Sequence, residues 1–121
     1  MTPNNISIGI DISKPQLDVF IQTLNLQEAY ENSGKVIKKL FKRLKKLTFI
    51  HRIVIEPTGG YEEKLLQACV AQGLPVSCVH AKRIRDFAKA TGVLEKTDAL
   101  DSRILARYGA MLLPPLTQLP S

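Results

Sequence analysis

The chain opens with short apolar segments that have the length and spacing of β-strands. Residues 6–12 form an apolar run, residues 17–22 alternate apolar and polar positions, and residues 27–32 form a weaker third segment. Alternation with a period of two is typical of a strand with one buried face. The link between the first two segments is short and contains Pro15, so we expect a hairpin there. Three consecutive antiparallel strands are predicted.

Helical spacing replaces this pattern after Ser33, which is placed to cap a helix. Apolar residues then recur with a helical period up to Leu47 and leave most of the lysines on the opposite side. Residues 52–56 and 75–79 predict two further strands, and a helical pattern over residues 61–72 lies between them. Two more helices are predicted, one over residues 81–90 and one that carries Leu100 to Leu112, with Thr97 or Asp98 as its N-cap.

The order β-β-β-α-β-α-β-α-α predicts an α/β fold with a mixed sheet, three antiparallel strands followed by parallel ones, and helices on both faces. This is the order expected of an RNase H-like domain. In such a fold the first strand lies beside the fourth, so their carboxyl ends become neighbours. We expect one domain over residues 1–113 and interpret residues 114–121, which are rich in proline, as a tail or a truncated linker.

Four acidic residues stand where a carboxylate does little for folding. Asp11 ends the first predicted strand, Glu56 ends the fourth, and Asp98 and Asp101 are three residues apart near the start of the last helix. Carboxylates on a rigid frame are the ligands that Mg²⁺ prefers, and enzymes that cut phosphodiesters commonly use two such ions. Each acid also has a structural explanation, since Asp11 could close a turn and Asp98 could cap the helix.

The charge distribution favours a polyanionic partner. The 121 residues carry a net charge of +6, and the basic side chains concentrate between Lys35 and Lys46 and between Lys82 and Arg107. Basic zones around an acidic cluster suit a nucleic acid held by its phosphates, although solvated helix faces would give the same pattern. The candidate contacts are Lys14, Lys82, Arg83, Arg85, Lys89, Lys96 and Arg103. The sequence shows no membrane-span pattern and no signal peptide, so we expect a cytoplasmic protein.

Three motifs in order resemble the N-terminal RuvC-like domain of the DEDD transposases, the group that includes the Piv-type DNA invertases. They are Gly9-Ile10-Asp11-Ile12-Ser13-Lys14, Glu56-Pro57-Thr58-Gly59-Gly60-Tyr61, and Lys96-Thr97-Asp98-Ala99-Leu100-Asp101-Ser102-Arg103 followed by Ala106-Arg107-Tyr108-Gly109. The family more usually has charged residues at the positions of Ala99 and Ser102, and this departure leaves the acids intact.

The resemblance implies a transposase or site-specific recombinase that cleaves and exchanges DNA strands with Mg²⁺ or Mn²⁺. It assigns Asp11, Glu56, Asp98 and Asp101 as the catalytic metal ligands. It also implies a C-terminal domain beyond Ser121 that supplies a catalytic serine, a structured bridge RNA as guide in the insertion-sequence members, and a homo-oligomeric full-length protein.

Two alternatives come from other functional classes. A non-catalytic RNase H-like module would bind nucleic acid through the two basic zones and would not need the acids. An ATPase of the actin-like or sugar-kinase type begins with a similar strand and Asp, but would need a phosphate loop rich in Gly and Thr where this chain has Ser13, Lys14 and Pro15.

Overall fold

A computed structural model describes residues 6–47, 49–92 and 100–118 of the chain. The strands are β1 (Ile6–Ile12), β2 (Gln16–Ile21), β3 (Leu26–Glu31), β4 (Ile50–Ile55) and β5 (Val76–Cys78). The helices are α1 (Gly34–Lys45), α2 (Glu63–Ala71), α3 (Ala81–Ala90) and α4 (Ser102–Leu112), and one turn of 3₁₀ helix joins β2 to β3. The predicted order of strands and helices is confirmed.

The strands form one mixed sheet in the order β3-β2-β1-β4-β5. The pairs β1–β2 and β2–β3 are antiparallel, whereas β1–β4 and β4–β5 are parallel. The predicted adjacency of the first and fourth strands is therefore confirmed, and the fold is α/β of the RNase H-like type. In the described ranges no helix is long and apolar enough to cross a bilayer.

The alternation of side chains along β1 divides the core into two layers. The four isoleucines of β1 are buried with Leu40 and Leu44 of α1 and with Leu65 of α2. Ser7 and Gly9 point to the opposite face, where α4 packs against the sheet. Full burial of each large aliphatic side chain contributes about 1.5–3 kcal/mol, so the isoleucine face anchors the sheet and leaves the other face free for small and polar residues.

Helix α4 lies directly on the backbone of β1 because two glycines allow it. A Cβ atom added at Gly9 would overlap the carbonyl oxygen of Ser102 and lie 2.5 Å from the amide nitrogen of Ala106. A Cβ at Gly109 would lie 2.6 Å from Cγ2 of Val54. The Ser7 hydroxyl donates a hydrogen bond of 2.5 Å to the carbonyl of Ala106, which fixes the helix along the strand.

The start of α4 differs from the prediction. The helix begins at Ser102 and its N-cap is Asp101, whose carboxylate accepts hydrogen bonds from the backbone N–H groups of Arg103 at 3.0 Å and Ile104 at 3.1 Å. The prediction that Thr97 or Asp98 caps this helix is wrong, because Asp101 has the extended backbone of a cap residue (φ −130°, ψ 178°). Thr97 and Asp98 themselves lie outside the described residues.

The loop between β4 and α2 is held in place by hydrogen bonds to the side chain of Glu62, the last residue before α2. Oε1 of Glu62 accepts hydrogen bonds from the backbone N–H and the hydroxyl of Thr58, at 3.0 and 2.8 Å, and from the N–H of Gly60 at 3.0 Å. Gly59 and Gly60 have φ values of +79° and +122°, which favour glycine. Partial burial opposes ionisation of Glu62, but these hydrogen bonds lower its pKa to about 2.

Residues 114–117 lie against β5. The N–H of Thr117 donates to the carbonyl of Val76 at 2.9 Å, and the Thr117 hydroxyl accepts from the N–H of Cys78 at 2.7 Å. The side chain of Arg52 donates to the carbonyl of Pro114 at 2.8 Å. This segment covers part of the β5 edge, and the division into a domain over residues 1–113 and a tail stays a prediction.

We expect Gly9→Ala to lower the free energy of unfolding by about 1–3 kcal/mol, because the added methyl group must push α4 off the strand. Gly34→Ala is the matched control, since a Cβ at Gly34 meets no atom within 4 Å and the residue starts a helix. Urea unfolding of both variants measures the difference. Equal stabilities would contradict the close packing of α4 on β1.

We expect Glu62→Ala to cost about 1.5–3 kcal/mol at neutral pH, because three donors lose a charged acceptor. The folded pKa of about 2 is below the ordinary value of 4.5 for a glutamate, so the stabilisation is complete above pH 4.5 and is lost as the pH falls toward 2. Unfolding measured at several pH values checks this. The control Glu63→Ala, an exposed neighbour, should cost less than about 1 kcal/mol.

Candidate metal and nucleic acid site

Asp11 and Glu56 lie at the same end of adjacent parallel strands. Gly9 pairs with Val54 in the β1–β4 register, and each acid follows its strand's paired residue by two positions. Because side chains two residues apart share a face, both acids lie on the face that α4 covers. Both side chains are half-buried. The prediction that the fold brings these two strand ends together is confirmed.

The pKa values of these carboxyl groups show that they interact. Burial raises the pKa of Asp11, and the negative charges of Asp18 and Asp101 raise it further, against a hydrogen bond from the backbone N–H of Ile12. Burial also raises the pKa of Glu56, and the charge of Asp11 adds to this, while Arg85 partly offsets it. The charge of Asp11 thus interacts with the carboxylate of Asp18 on β2, with that of Glu56 after β4, and with that of Asp101 at the start of α4.

The position of Asp101 follows from the packing of α4. The helix is held on β1 at Gly9 and Ser7, and its N-cap therefore lies near the end of that strand. Asp101 is exposed, and both of its capping hydrogen bonds are accepted by Oδ1. Capping and interaction with Asp11 are compatible, so the structural explanation for an acid at this position does not exclude a role at the site.

Sequence reasoning missed one acid of this cluster, Asp18. Asp18 is directly opposite Asp11 in the β1–β2 register, and its Oδ1 accepts a hydrogen bond of 2.7 Å from the side chain of Gln16. Like charges directly opposite each other in a sheet are destabilising. The alternation of buried Leu17 and Val19 around Asp18 could have placed it on the Asp11 face once the hairpin register was known.

Two predicted site residues, Asp98 and Lys96, lie outside the described residues. Within residues 6–47, 49–92 and 100–118, no three His, Cys, Asp or Glu side chains are grouped closely enough to hold a metal ion. The donor chemistry nevertheless fits Mg²⁺ or Mn²⁺, because carboxylate oxygens are hard ligands and the repulsion between Asp11 and Glu56 is what a cation would relieve. Asp11 and Glu56 thus supply two hard oxygen ligands at one edge of the sheet.

The basic residues predicted to contact nucleic acid are distributed around this edge of the sheet. Lys82, Arg83, Arg85 and Lys89 are all exposed on α3, and the positive charge of Arg85 lowers the pKa of Glu56. Arg83 instead lines a cavity of about 160 Å³ with His80, at the β5 side of the molecule.

Two other predicted contacts, Arg103 and Lys14, come from different parts of the fold. The guanidinium of Arg103 lies 5.7 Å from the centre of the Phe20 ring, a cation–π contact on the same sheet face as Asp18. Lys14 is exposed in the hairpin loop after β1, three residues beyond Asp11. Both side chains remain accessible to a ligand at the acidic edge.

Comparison with known proteins identifies the family. The sequence matches the family model of IS110-type DEDD transposases, described as "Transposase", over residues 8–121. It is 35% identical over 117 residues to a pilin gene-inverting protein of Moraxella lacunata and 34% identical to one of Moraxella bovis. In each case the match covers 92% of this chain and 36% of the relative. The chain thus spans about a third of the length of these relatives, and it belongs to the DEDD transposase family.

Proposed function

We propose that the chain is the RuvC-like catalytic part of a DNA transposase or site-specific recombinase, which cleaves and exchanges DNA strands with Mg²⁺ or Mn²⁺. The ligands in this proposal are Asp11, Glu56, Asp98 and Asp101. The observation that carries it is the placement of half-buried Asp11 and Glu56 at the same end of adjacent parallel strands, where burial and the charge of Asp11 raise the pKa of Glu56. Carboxyl groups with raised pKa values cluster at functional sites, and a divalent cation would offset the repulsion between them.

The rigidity of the frame supports this role. Asp11 belongs to the central strand, Glu56 directly follows β4, and Asp101 is fixed by its capping hydrogen bonds. Sites on strands and helix ends hold ligands more accurately than sites on long loops. Divalent ions bound there would activate a nucleophile and stabilise the leaving oxygen of a phosphodiester. Arg85 adds a positive charge beside Glu56 that suits an incoming phosphate.

DNA is the proposed substrate. The two relatives are named for inverting a pilin gene, which is a rearrangement of DNA. The proposed phosphate contacts are Lys14, Lys82, Arg83, Arg85, Lys89, Lys96 and Arg103. Lysine and arginine contacts of this kind make binding weaker as salt concentration rises.

Further parts of the machinery belong to the proposal through the family. A C-terminal domain would supply a catalytic serine, a structured RNA would guide target choice, and the full-length protein would act as a homo-oligomer. The chain spans 36% of the length of its relatives, so strand exchange is proposed for the longer protein. Metal binding and DNA binding are proposed for this chain itself.

A non-catalytic nucleic-acid-binding module is the second candidate. It is favoured by the absence, among the described residues, of three acids close enough to hold a metal ion. This candidate predicts DNA binding without any effect of divalent ions on the folded state. The two functions therefore differ in one measurable property, the stabilisation of the chain by Mn²⁺.

We expect Asp11→Asn to abolish stabilisation by Mn²⁺ and to raise the stability of the metal-free chain. The raised pKa of Asp11 means that its charge opposes folding near neutral pH, and removal of one like charge in a sheet contributes up to roughly 1 kcal/mol. Mn²⁺ should raise the melting temperature of the unaltered chain by several degrees, because it binds only the folded state. Thermal melts with and without Mn²⁺ measure both effects.

Asp86→Asn is the matched control, since Asp86 is an exposed carboxylate on α3. Its melting temperature should respond to Mn²⁺ as that of the unaltered chain does. If Mn²⁺ leaves the unaltered chain unchanged, the metal-dependent function is contradicted and the non-catalytic module is supported.

A further inference from the structure

A cavity of about 330 Å³ lies between the loops that follow the two acidic strand ends. It is lined by Lys14, Asn32, Gly60, Tyr61 and Lys64. Lys14 belongs to the loop after β1, and Gly60 and Tyr61 belong to the loop after β4. These loops follow the parallel strands whose ends carry Asp11 and Glu56, so the cavity and the carboxylates lie at the same edge of the sheet.

The walls of the cavity are held in place by specific hydrogen bonds. The side-chain amide of Asn32 donates to the carbonyl of Ser13 at 2.9 Å and to the carbonyl of Tyr61 at 3.1 Å, which joins the two loops. The carboxylate of Glu62 accepts a hydrogen bond from the N–H of Gly60 and so holds this part of the wall in place. The Oδ1 atom of Asn32 is buried and has no hydrogen-bond partner among the described residues. The hydrogen bonds of the Asn32 amide and of Glu62 hold the walls of the cavity in place before any ligand binds.

The lining combines two cations with an exposed aromatic ring. Lys14 and Lys64 are exposed, and neither forms an ion pair with another residue in the part of the chain that the structure describes. Tyr61 is 47% exposed. Lysines bind the phosphates of nucleic acids, and exposed aromatic rings stack on unpaired bases. The two lysines can bind the phosphate of one nucleotide, and the tyrosine ring can stack on its base.

We propose that this cavity holds one unpaired nucleotide of the DNA strand that enters the carboxylate site, with its phosphate between Lys14 and Lys64 and its base stacked on Tyr61. The inference rests on the proposed function for the identity of the strand. The volume of about 330 Å³ is at the lower end of the range of about 300–1,000 Å³ for small-molecule sites, which suits one nucleotide. An unpaired base is required because stacking between neighbouring base pairs covers the faces of the bases in a duplex.

The test is the binding of fluorescein-labelled single-stranded DNA of about ten nucleotides, measured by fluorescence anisotropy in EDTA. Tyr61→Ala should weaken binding roughly 5- to 150-fold, the equivalent of about 1–3 kcal/mol per stacked base, while Tyr61→Phe keeps most of the affinity. Lys64→Gln should weaken binding and lower the salt slope by about 0.7. Blunt duplex DNA should respond less to Tyr61→Ala than the single strand does.

A matched control comes from elsewhere on the surface. Phe49→Ala removes an aromatic side chain that is 57% exposed. It should change single-strand affinity less than about twofold, which is the scale of an ordinary surface substitution. Thermal melts of all variants establish that each is folded.

The outcomes separate this inference from the proposed function. If Tyr61→Ala and Lys64→Gln bind single-stranded DNA as the unaltered chain does, the nucleotide site is overturned while the metal site stands. If the two variants lose equal affinity for duplex and single-stranded DNA, the proposal of an unpaired nucleotide is overturned. If they lose affinity only for an RNA of the same sequence, the assignment to DNA is overturned. If the unaltered chain binds no DNA, the proposed function itself fails.

Discussion

The close contact between α4 and β1 determines where the last helix, and with it the acidic end of the sheet, is placed. Helices usually rest on a sheet through a layer of side chains, whereas here Gly9 and Gly109 remove that layer and Ser7 bonds to the helix backbone. The interior has no room for adjustment at this point, because packing density is already close to that of a crystal. The contact fixes where α4 begins, and so it fixes Asp101 relative to Asp11.

The edge of the sheet that carries Asp11, Asp18 and Glu56 lowers the stability of the fold. Asp11 has Asp18 opposite it on one side and Glu56 near it on the other, and burial weakens the solvation of Asp11 and Glu56. The isoleucine face of β1 offsets this cost, since its side chains are buried with α1 and α2. One strand thus stabilises the fold on one face and carries the candidate chemistry on the other. This separation explains why the acids can be crowded without unfolding the sheet.

Much of this arrangement was predictable from the sequence. Apolar periodicity gave the element order, and the handedness of parallel connections placed β1 beside β4, which brings Asp11 and Glu56 to one edge. Asp18 was missed because its position depends on the hairpin register, which a strand pattern does not specify.

The N-cap of α4 was misplaced for a related reason. Two aspartates at helical spacing both satisfy the cap signal, and only packing of the helix selects Asp101. The role of Glu62 could not be predicted from the apolar periodicity, because its carboxylate accepts hydrogen bonds from the backbone of the preceding turn. The docking of residues 114–117 on β5 was also not predictable, because it depends on backbone groups of the strand edge.

The proposed metal site is tested most directly by a crystal structure of the chain grown with Mn²⁺, in which anomalous scattering locates the ion. We expect a Mn²⁺ ion bonded to carboxylate oxygens of both Asp11 and Glu56, at about 2.0–2.2 Å, as expected for a small hard cation. This ion should be lost from crystals of Asp11→Asn. A structure in which the two carboxylates point apart and Mn²⁺ binds elsewhere or not at all would contradict metal binding by these acids.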